Sequence, residues 1–300
     1  MKNCNLLSKL ESSNEYWISA LSKDDIETKI ELSDISSNER FILYRFDSVS
    51  ATNCSAKVIS VNVNKPKSEC TVIKNCSLNA FSYSNSSNSV KQDLLIENCT
   101  FSNDAEVSVS NAKSITLYND KLMENPILFS CESTGSIEGK VLAKNYYFNS
   151  FSALRNAKLS TVEFNDCKID NKFNLEYIYI SKSISFINVK FLTNYYFDRR
   201  TFYTCKSAIF NNCFFYENDG VCLFAFFGES FRMENCTFTI GMTTNRLEAL
   251  AKMECVFTNN TIRDMNYSNT CLALFYKKGS DFINTGNTFN EGHFIVKEYE

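Results

Sequence analysis

A unit of the form apolar-x-apolar-x-Asn-Cys-x-apolar recurs along the chain, and it restricts the fold more than any other feature. It is clearest as Phe231-x-Met233-x-Asn235-Cys236-x-Phe238, and Leu94-x-Ile96-x-Asn98-Cys99-x-Phe101 repeats it. Val49, Ala51, Asn53, Cys54 and Ala56 form an earlier copy, as do Thr71, Ile73, Asn75, Cys76 and Leu78. Degenerate copies centre on Asn119-Asp120, Asn145-Tyr146, Asp166-Cys167, Asn188-Val189, Asn212-Cys213, Asn259-Asn260 and Gly286-Asn287. With the second residue of each pair as marker, the spacings are 22, 23, 21, 26, 21, 22, 24, 23, 24 and 27. A period of this size marks a solenoid, in which each repeat buries its apolar face only against its neighbours.

The parity inside the unit gives the shape of a coil. Alternation puts the two apolar residues and the Asn on one face of a strand, while the Cys and the apolar residue two beyond it share the opposite phase. Both sets reach one core only if the chain bends between Asn and Cys. Asn suits that bend because it tolerates left-handed backbone angles and its amide serves backbone groups at a corner. This accounts for a chain that turns often with only 8 Gly and 2 Pro. Stacked at about 4.8 Å, successive Asn side chains are expected to form a buried ladder, and ten intervals make a rod of about 50 Å. Thr52, Lys74, Glu97, Lys144, Asn211, Glu234 and Thr258 before the bend are expected to face solvent, as are Ser55, Ser77, Thr100, Lys121, Lys168 and Thr237 after it. A leucine-rich repeat has a similar period, but its Leu-x-x-Leu tetrad does not recur here and the gap to the Asn is two residues instead of three.

The fold expected is therefore all-β: a right-handed, single-stranded parallel β-helix of about 11 coils of about 23 residues over 46–300, behind an N-terminal cap over 1–45. Within the cap, Ser12-Ser13-Asn14-Glu15 fits a capping box, and Tyr16, Trp17, Ile18 and Leu21 form a stripe at helical spacing, predicting a short helix. Ile30, Leu32 and Asp34 read as an extra coil and Phe41 to Phe46 as a strand.

A hydrophobic share of 44% excludes general disorder, and a formal charge of -3 gives no electrostatic footprint for nucleic acid. Met1 to Leu10 has no continuous apolar stretch and no later segment approaches the roughly 18 apolar residues of a membrane span, so neither an export signal nor membrane insertion is expected. Of 13 cysteines, Cys54, Cys76, Cys99, Cys167, Cys213 and Cys236 share one repeat position, which reads as a buried stack of reduced thiols. No Cys-x-x-Cys is present and His293 is the one histidine, so no metal or other cofactor is expected. Asn53, Asn75, Asn98, Asn235 and Asn259 begin glycosylation sequons inside the proposed ladder, leaving Asn85 and Asn266 as the accessible acceptors were the protein secreted.

The coils resemble the pectin-lyase-like right-handed β-helix superfamily over about residues 46–300. They are also similar to the repeats of polymorphic membrane proteins and related parasite surface proteins, through Phe-x-x-Asn at Phe191 to Asn194, Phe215 to Asn218 and Phe257 to Asn260. Of those repeats' Gly-Gly-Ala-Ile motif, Asp219-Gly220-Val221 is a faint trace. The resemblance implies a cell-surface setting, whereas reduced thiols and the missing signal favour the cytoplasm. It also raises polysaccharide cleavage as an alternative activity. The polygalacturonase-type motifs are missing, since Asp24-Asp25 lies in the cap and Gly292-His293 continues with Phe. Glu163, Asp166 and Asp170, with Asp198, Arg199 and Arg200 nearby, form the best acidic group, and hydrolysis would need two of its carboxylates across one bond. Tyr177 and Tyr179 alternate with Ile178 and Ile180, and Tyr195 and Tyr196 follow one coil later. Exposed aromatics on a flat sheet stack on sugars or anchor proteins. These four tyrosines are the binding residues expected of a non-enzymatic repeat protein that presents an extended surface to a protein or glycan.

Overall fold

The computed structural model describes residues 4–7, 15–20, 28–63, 70–87, 91–132, 139–153, 158–175, 178–192, 195–196, 205–216, 222–240, 245–264, 272–289 and 294–300. The chain forms two compact units, Met1–Tyr147 and Phe148–Glu300. Both are parallel β-solenoids, about ten turns in all, with no helix among the described residues.

In the first unit, one sheet stacks the short strands Lys29–Ser33, Ser48–Thr52, Cys70–Lys74, Asp93–Glu97, Ser114–Tyr118 and Lys140–Lys144. Their register sets like positions side by side, with Leu94 between Thr71 and Ile115. A second sheet stacks Glu15–Ala20, Arg40–Phe46, Ser55–Val63, Ser77–Asn85, Thr100–Ser110 and Ile127–Glu132. The second unit repeats the first sheet with Lys158–Asn165, Tyr179–Ile187, Ser207–Asn211, Ser230–Glu234, Glu254–Thr258 and Asp281–Thr285. It adds a third sheet, not anticipated from the repeat, of Cys222–Phe226, Asn245–Ala249, Leu272–Lys277 and Phe294–Tyr299.

The bend falls where the repeat requires it. Asn53, Asn75, Asn98, Asn145, Asp166, Asn188, Asn212, Asn235 and Asn259 all have φ between 50° and 59°, and Gly286 has φ 70°. Each left-handed residue shifts the alternation by one, so the Cys that follows turns inward: Val49, Ala51, Cys54 and Ala56 are all buried. Gly286 is needed for a second reason, because a Cβ there would lie 2.1 Å from Asn259 Oδ1.

The same shift corrects the expected buried ladder. The turn turns the Asn side chains outward, and those of Asn53, Asn75, Asn188, Asn212 and Asn235 are exposed. A ladder exists there nonetheless: Nδ2 of Asn75 donates to Oδ1 of Asn53 (3.3 Å), Asn188 to Asp166 (2.7 Å) and Asn212 to Asn188 (2.8 Å). Among the flanking positions expected outside, Thr258 is the exception and is buried.

Inside the corner a second, unanticipated set of bonds explains the cysteines. At several corners the marker N–H donates to the marker side chain of the next coil: Cys76 to Sγ of Cys99 (3.4 Å) and Cys213 to Sγ of Cys236 (3.5 Å). The same sulfur donates back to the carbonyl three residues before the previous marker, as Cys76 does to Ala51 (3.6 Å), Cys99 to Ile73 (3.6 Å) and Cys236 to Phe210 (3.6 Å). Asn replaces Cys near the end of the chain. Asn260 Oδ1 accepts from Cys236 N–H (2.8 Å) and its Nδ2 donates to the Met233 carbonyl (3.0 Å), and Asn287 does the same for Asn260 and Phe257. A small side chain that both donates and accepts closes the corner in this way.

The bond with Cys99 lowers the Cys76 thiol to about 7, whereas other buried thiols move the opposite way. Burial pushes Cys54 and Cys236 up from the ordinary thiol value, and pushes Cys205 and Cys255 up to about 12. Since the thiolate is the nucleophile, Cys205 and Cys255 are expected to resist iodoacetamide near pH 8 in the native protein and to label fully in denaturant. Mass spectrometry of tryptic peptides reads this directly, and native labelling at either residue would contradict it.

Phenylalanines fill the core of the second unit in stacked columns. Phe164, Phe186 and Phe210 stack at 5.4 and 5.2 Å, and Phe191, Phe215 and Phe238 at 5.1 and 4.9 Å. Parallel in-register strands put identical residues above one another at a spacing that suits offset ring stacking.

The expected N-terminal helix is not formed. Glu15–Ala20 is a strand paired in parallel with Arg40–Phe46, and Tyr16 stacks on Phe41 at 5.3 Å. Ile18 is buried and Trp17 exposed, a period of two, so the open edge of Arg40–Phe46 captured an aromatic and β-branched segment that also fits a helix. Ser12, Ser13, Asn14 and Leu21 lie outside the described residues. Ile30 and Leu32 are the buried residues of an extra coil that turns at Asp34 (φ 56°), as the sequence implied.

Candidate functional site

One coil of the first unit breaks the corner rule. Asn119 sits at the ladder position without the positive φ of its counterparts. Without the shift, the alternation of Ile115 and Leu117 simply continues, and Asn119 points inward with 6% of its surface exposed. Asp120, at the marker position, is exposed instead. Residues 121–126 then leave the coil path before the strand Ile127–Glu132 resumes pairing opposite Ala105. The spacing of 26 after Asp120 and Pro126, one of two prolines, were the sequence signals of this detour.

The detour opens a recess of about 550 Å³ lined by residues 98–101 and 119–125. Asn98 Nδ2 (2.9 Å) and the Tyr118 hydroxyl (3.0 Å) donate to the Asp120 carboxylate on the corner face. That hydrogen bond and the carboxylate's charge raise the Tyr118 phenol above its ordinary value. Asn125 Nδ2 donates to the Phe101 carbonyl (3.0 Å), taking the place of a strand N–H, and Met123 N–H donates to the Asn145 carbonyl (3.0 Å). Leu122 remains 47% exposed, with Lys121 and Glu124 exposed beside it. Size, mixed lining and partial enclosure are those of a ligand pocket.

A second recess of about 310 Å³ is lined by Trp17, Ile18, Ser19, Tyr44 and Arg45. Trp17 and Tyr44 are exposed aromatics, and the Arg45 guanidinium lies 5.0 Å from the centre of the Tyr44 ring.

Of the tyrosines singled out in the sequence, Tyr179 begins the strand Tyr179–Ile187 and is 48% exposed between buried Ile178 and Ile180. Tyr195 and Tyr196 form a two-residue strand with backbones opposite Phe173 and Asn174. Their side chains, and Tyr177 altogether, lie outside the described residues. The described residues of the acidic group are spread around the corner. Glu163 is on one sheet, Asp170 on the other at 3.3 Å from Lys168 Nζ, and Asp166 is the left-handed corner between them, accepting from Asn188. Asp198, Arg199, Arg200 and His293 lie outside the described residues. Among the sequons, Asn85 is 1% exposed, with its Oδ1 accepting the Ser87 N–H, so it is not the accessible acceptor its position suggested. Asn266 is outside the described residues.

Fold and recess define a parallel β-solenoid whose corner is opened at one coil. Comparison of the chain with models of known families, with curated proteins and with solved structures finds no match.

Proposed function

We propose that this is a non-enzymatic binding solenoid, whose regular coils are a scaffold for a surface that engages a protein or glycan partner. The carrying observation is the detour at residues 119–126. Coil insertions in solenoids project on one face and commonly form the binding face, and a local departure from an otherwise consistent rule marks a functional position. The exposed aromatics Trp17, Tyr44 and Tyr179 add surfaces of the kind that stack on sugars or anchor a protein. The Phe-x-x-Asn motifs at Phe191, Phe215 and Phe257, through which the sequence resembles parasite surface repeats, agree with an adhesin-like role. The test is a panel of soluble polysaccharides and proteins passed over the immobilised chain, recording both retention and release of reducing or unsaturated ends. Retention without release is expected. Release of new ends that depends on Asp166 or Asp170 would overturn the reading, and so would a complete lack of retention.

A further inference from the structure

The recess offers more than shape. In the regular coils the marker residue turns both backbone groups toward the next coil. Its carbonyl accepts the N–H after the next marker, as Cys54 does from Ser77, Cys76 from Thr100, Cys213 from Thr237 and Cys236 from Thr261. At Cys76, Cys213 and Cys236 its N–H also goes to the next marker side chain. Cys99 has neither partner. The following coil swings outward at Asp120, so among the described residues nothing donates to the Cys99 carbonyl and no side chain accepts its N–H. Asn119, more than nine-tenths buried and lining the same recess, has an Nδ2 with no hydrogen-bond partner. Buried polar groups left open in this way call for a partner.

A residue whose N–H and C=O face one open edge is matched, in the parallel pattern these coils use, by the two amides that flank one residue of an extended peptide, the C=O before it and the N–H after it. We infer that the recess binds an extended peptide segment. One of its residues pairs with Cys99, a neighbouring carbonyl accepts from Asn119 Nδ2, and an apolar side chain lies against Leu122 and Met123. This rests on the binding reading above and names its ligand class. A sugar would meet the same groups with hydroxyls, but it would not return an N–H and a C=O in strand register.

The probes are N-acetyl-leucine methylamide and its methyl ester, which lacks the C-terminal N–H, titrated into the ¹⁵N-labelled full chain. The methylamide is expected to shift the backbone signals of residues 99–101 and 119–125. Binding is expected to weaken by about tenfold in the ester and in Asn119→Leu, the effect of one lost hydrogen bond to a buried group. Leu122→Ser, at an exposed position, weakens binding without a folding risk. Absence of shifts at these residues, or equal affinity for amide and ester, would overturn the peptide assignment. If the polysaccharide and protein panel is retained in that case, the broader binding reading stands and only the ligand class has failed.

Discussion

Phe186→Ala is expected to lower the stability of the second unit by about 3–5 kcal/mol, the upper range for removing a buried aromatic ring. Phe186 has no exposed surface. It stacks between Phe164 and Phe210 and meets Phe173 and Phe191 edge-on at 5.6 and 5.5 Å. The backbone at each coil is pinned by parallel pairing on both sides, Ile184 lying opposite Val162 and Ala208, so the lining has little freedom to collapse into the cavity. In a solenoid each repeat interacts with its nearest neighbours, so the loss should be local. Denaturant unfolding would give the magnitude. Hydrogen exchange should show protection falling first in Lys158–Asn165, Tyr179–Ile187 and Ser207–Asn211. A loss below about 1 kcal/mol would mean that the column is not a stability element.

Asn260→Leu is the second large effect, expected to cost about 2–5 kcal/mol while leaving the residue's volume nearly unchanged. Asn260 has no exposed surface and completes the corner of the coil before it. Leucine would leave the Cys236 N–H buried and unpaired, at about 1–3 kcal/mol, and would take from the Met233 carbonyl, which lies in the paired strand Ser230–Glu234, its side-chain donor, at about 0.5–1.5 kcal/mol. Asn260→Cys provides the decisive contrast, because sulfur performs the same two tasks at Cys236 for the Cys213 N–H and the Phe210 carbonyl. The cysteine variant is expected to recover more than half of the loss seen with leucine. Equal destabilisation by Leu and Cys in denaturant unfolding would show that filling volume, and not bridging, is the residue's task.

The coil, its turn residue and its inward cysteines were legible because they rest on local rules: the period of a strand, the tolerance of Asn for left-handed angles, and a spacing kept from Cys54 to Asn287. The side on which the Asn faces was not, because the parity argument carried the strand's phase up to the Asn when the left-handed residue itself takes the shift. Only Asn119, which lacks that shift, faces inward as alternation alone implies. The strand at Glu15–Ala20 was misread as a helix because six residues rich in aromatic and β-branched side chains satisfy either period, and a neighbouring strand edge decided between them. Of the candidate site, the irregular spacing around Asp120 was visible. The recess itself depends on Cys99 losing partners from a coil 21 residues away, a fact of register that no local pattern carries.

The inner bridges all run one way: a marker side chain closes the corner of the coil before it and leaves its own corner for the coil after it. Emerging from a ribosome, such a chain would finish these corners only when the following coil is laid down, so closure at each of them would wait on the next coil. At these steps the growing tip would carry an unfinished corner, and a nascent chain halted between two such markers would be held back by an unsatisfied backbone N–H, whatever its core had already buried.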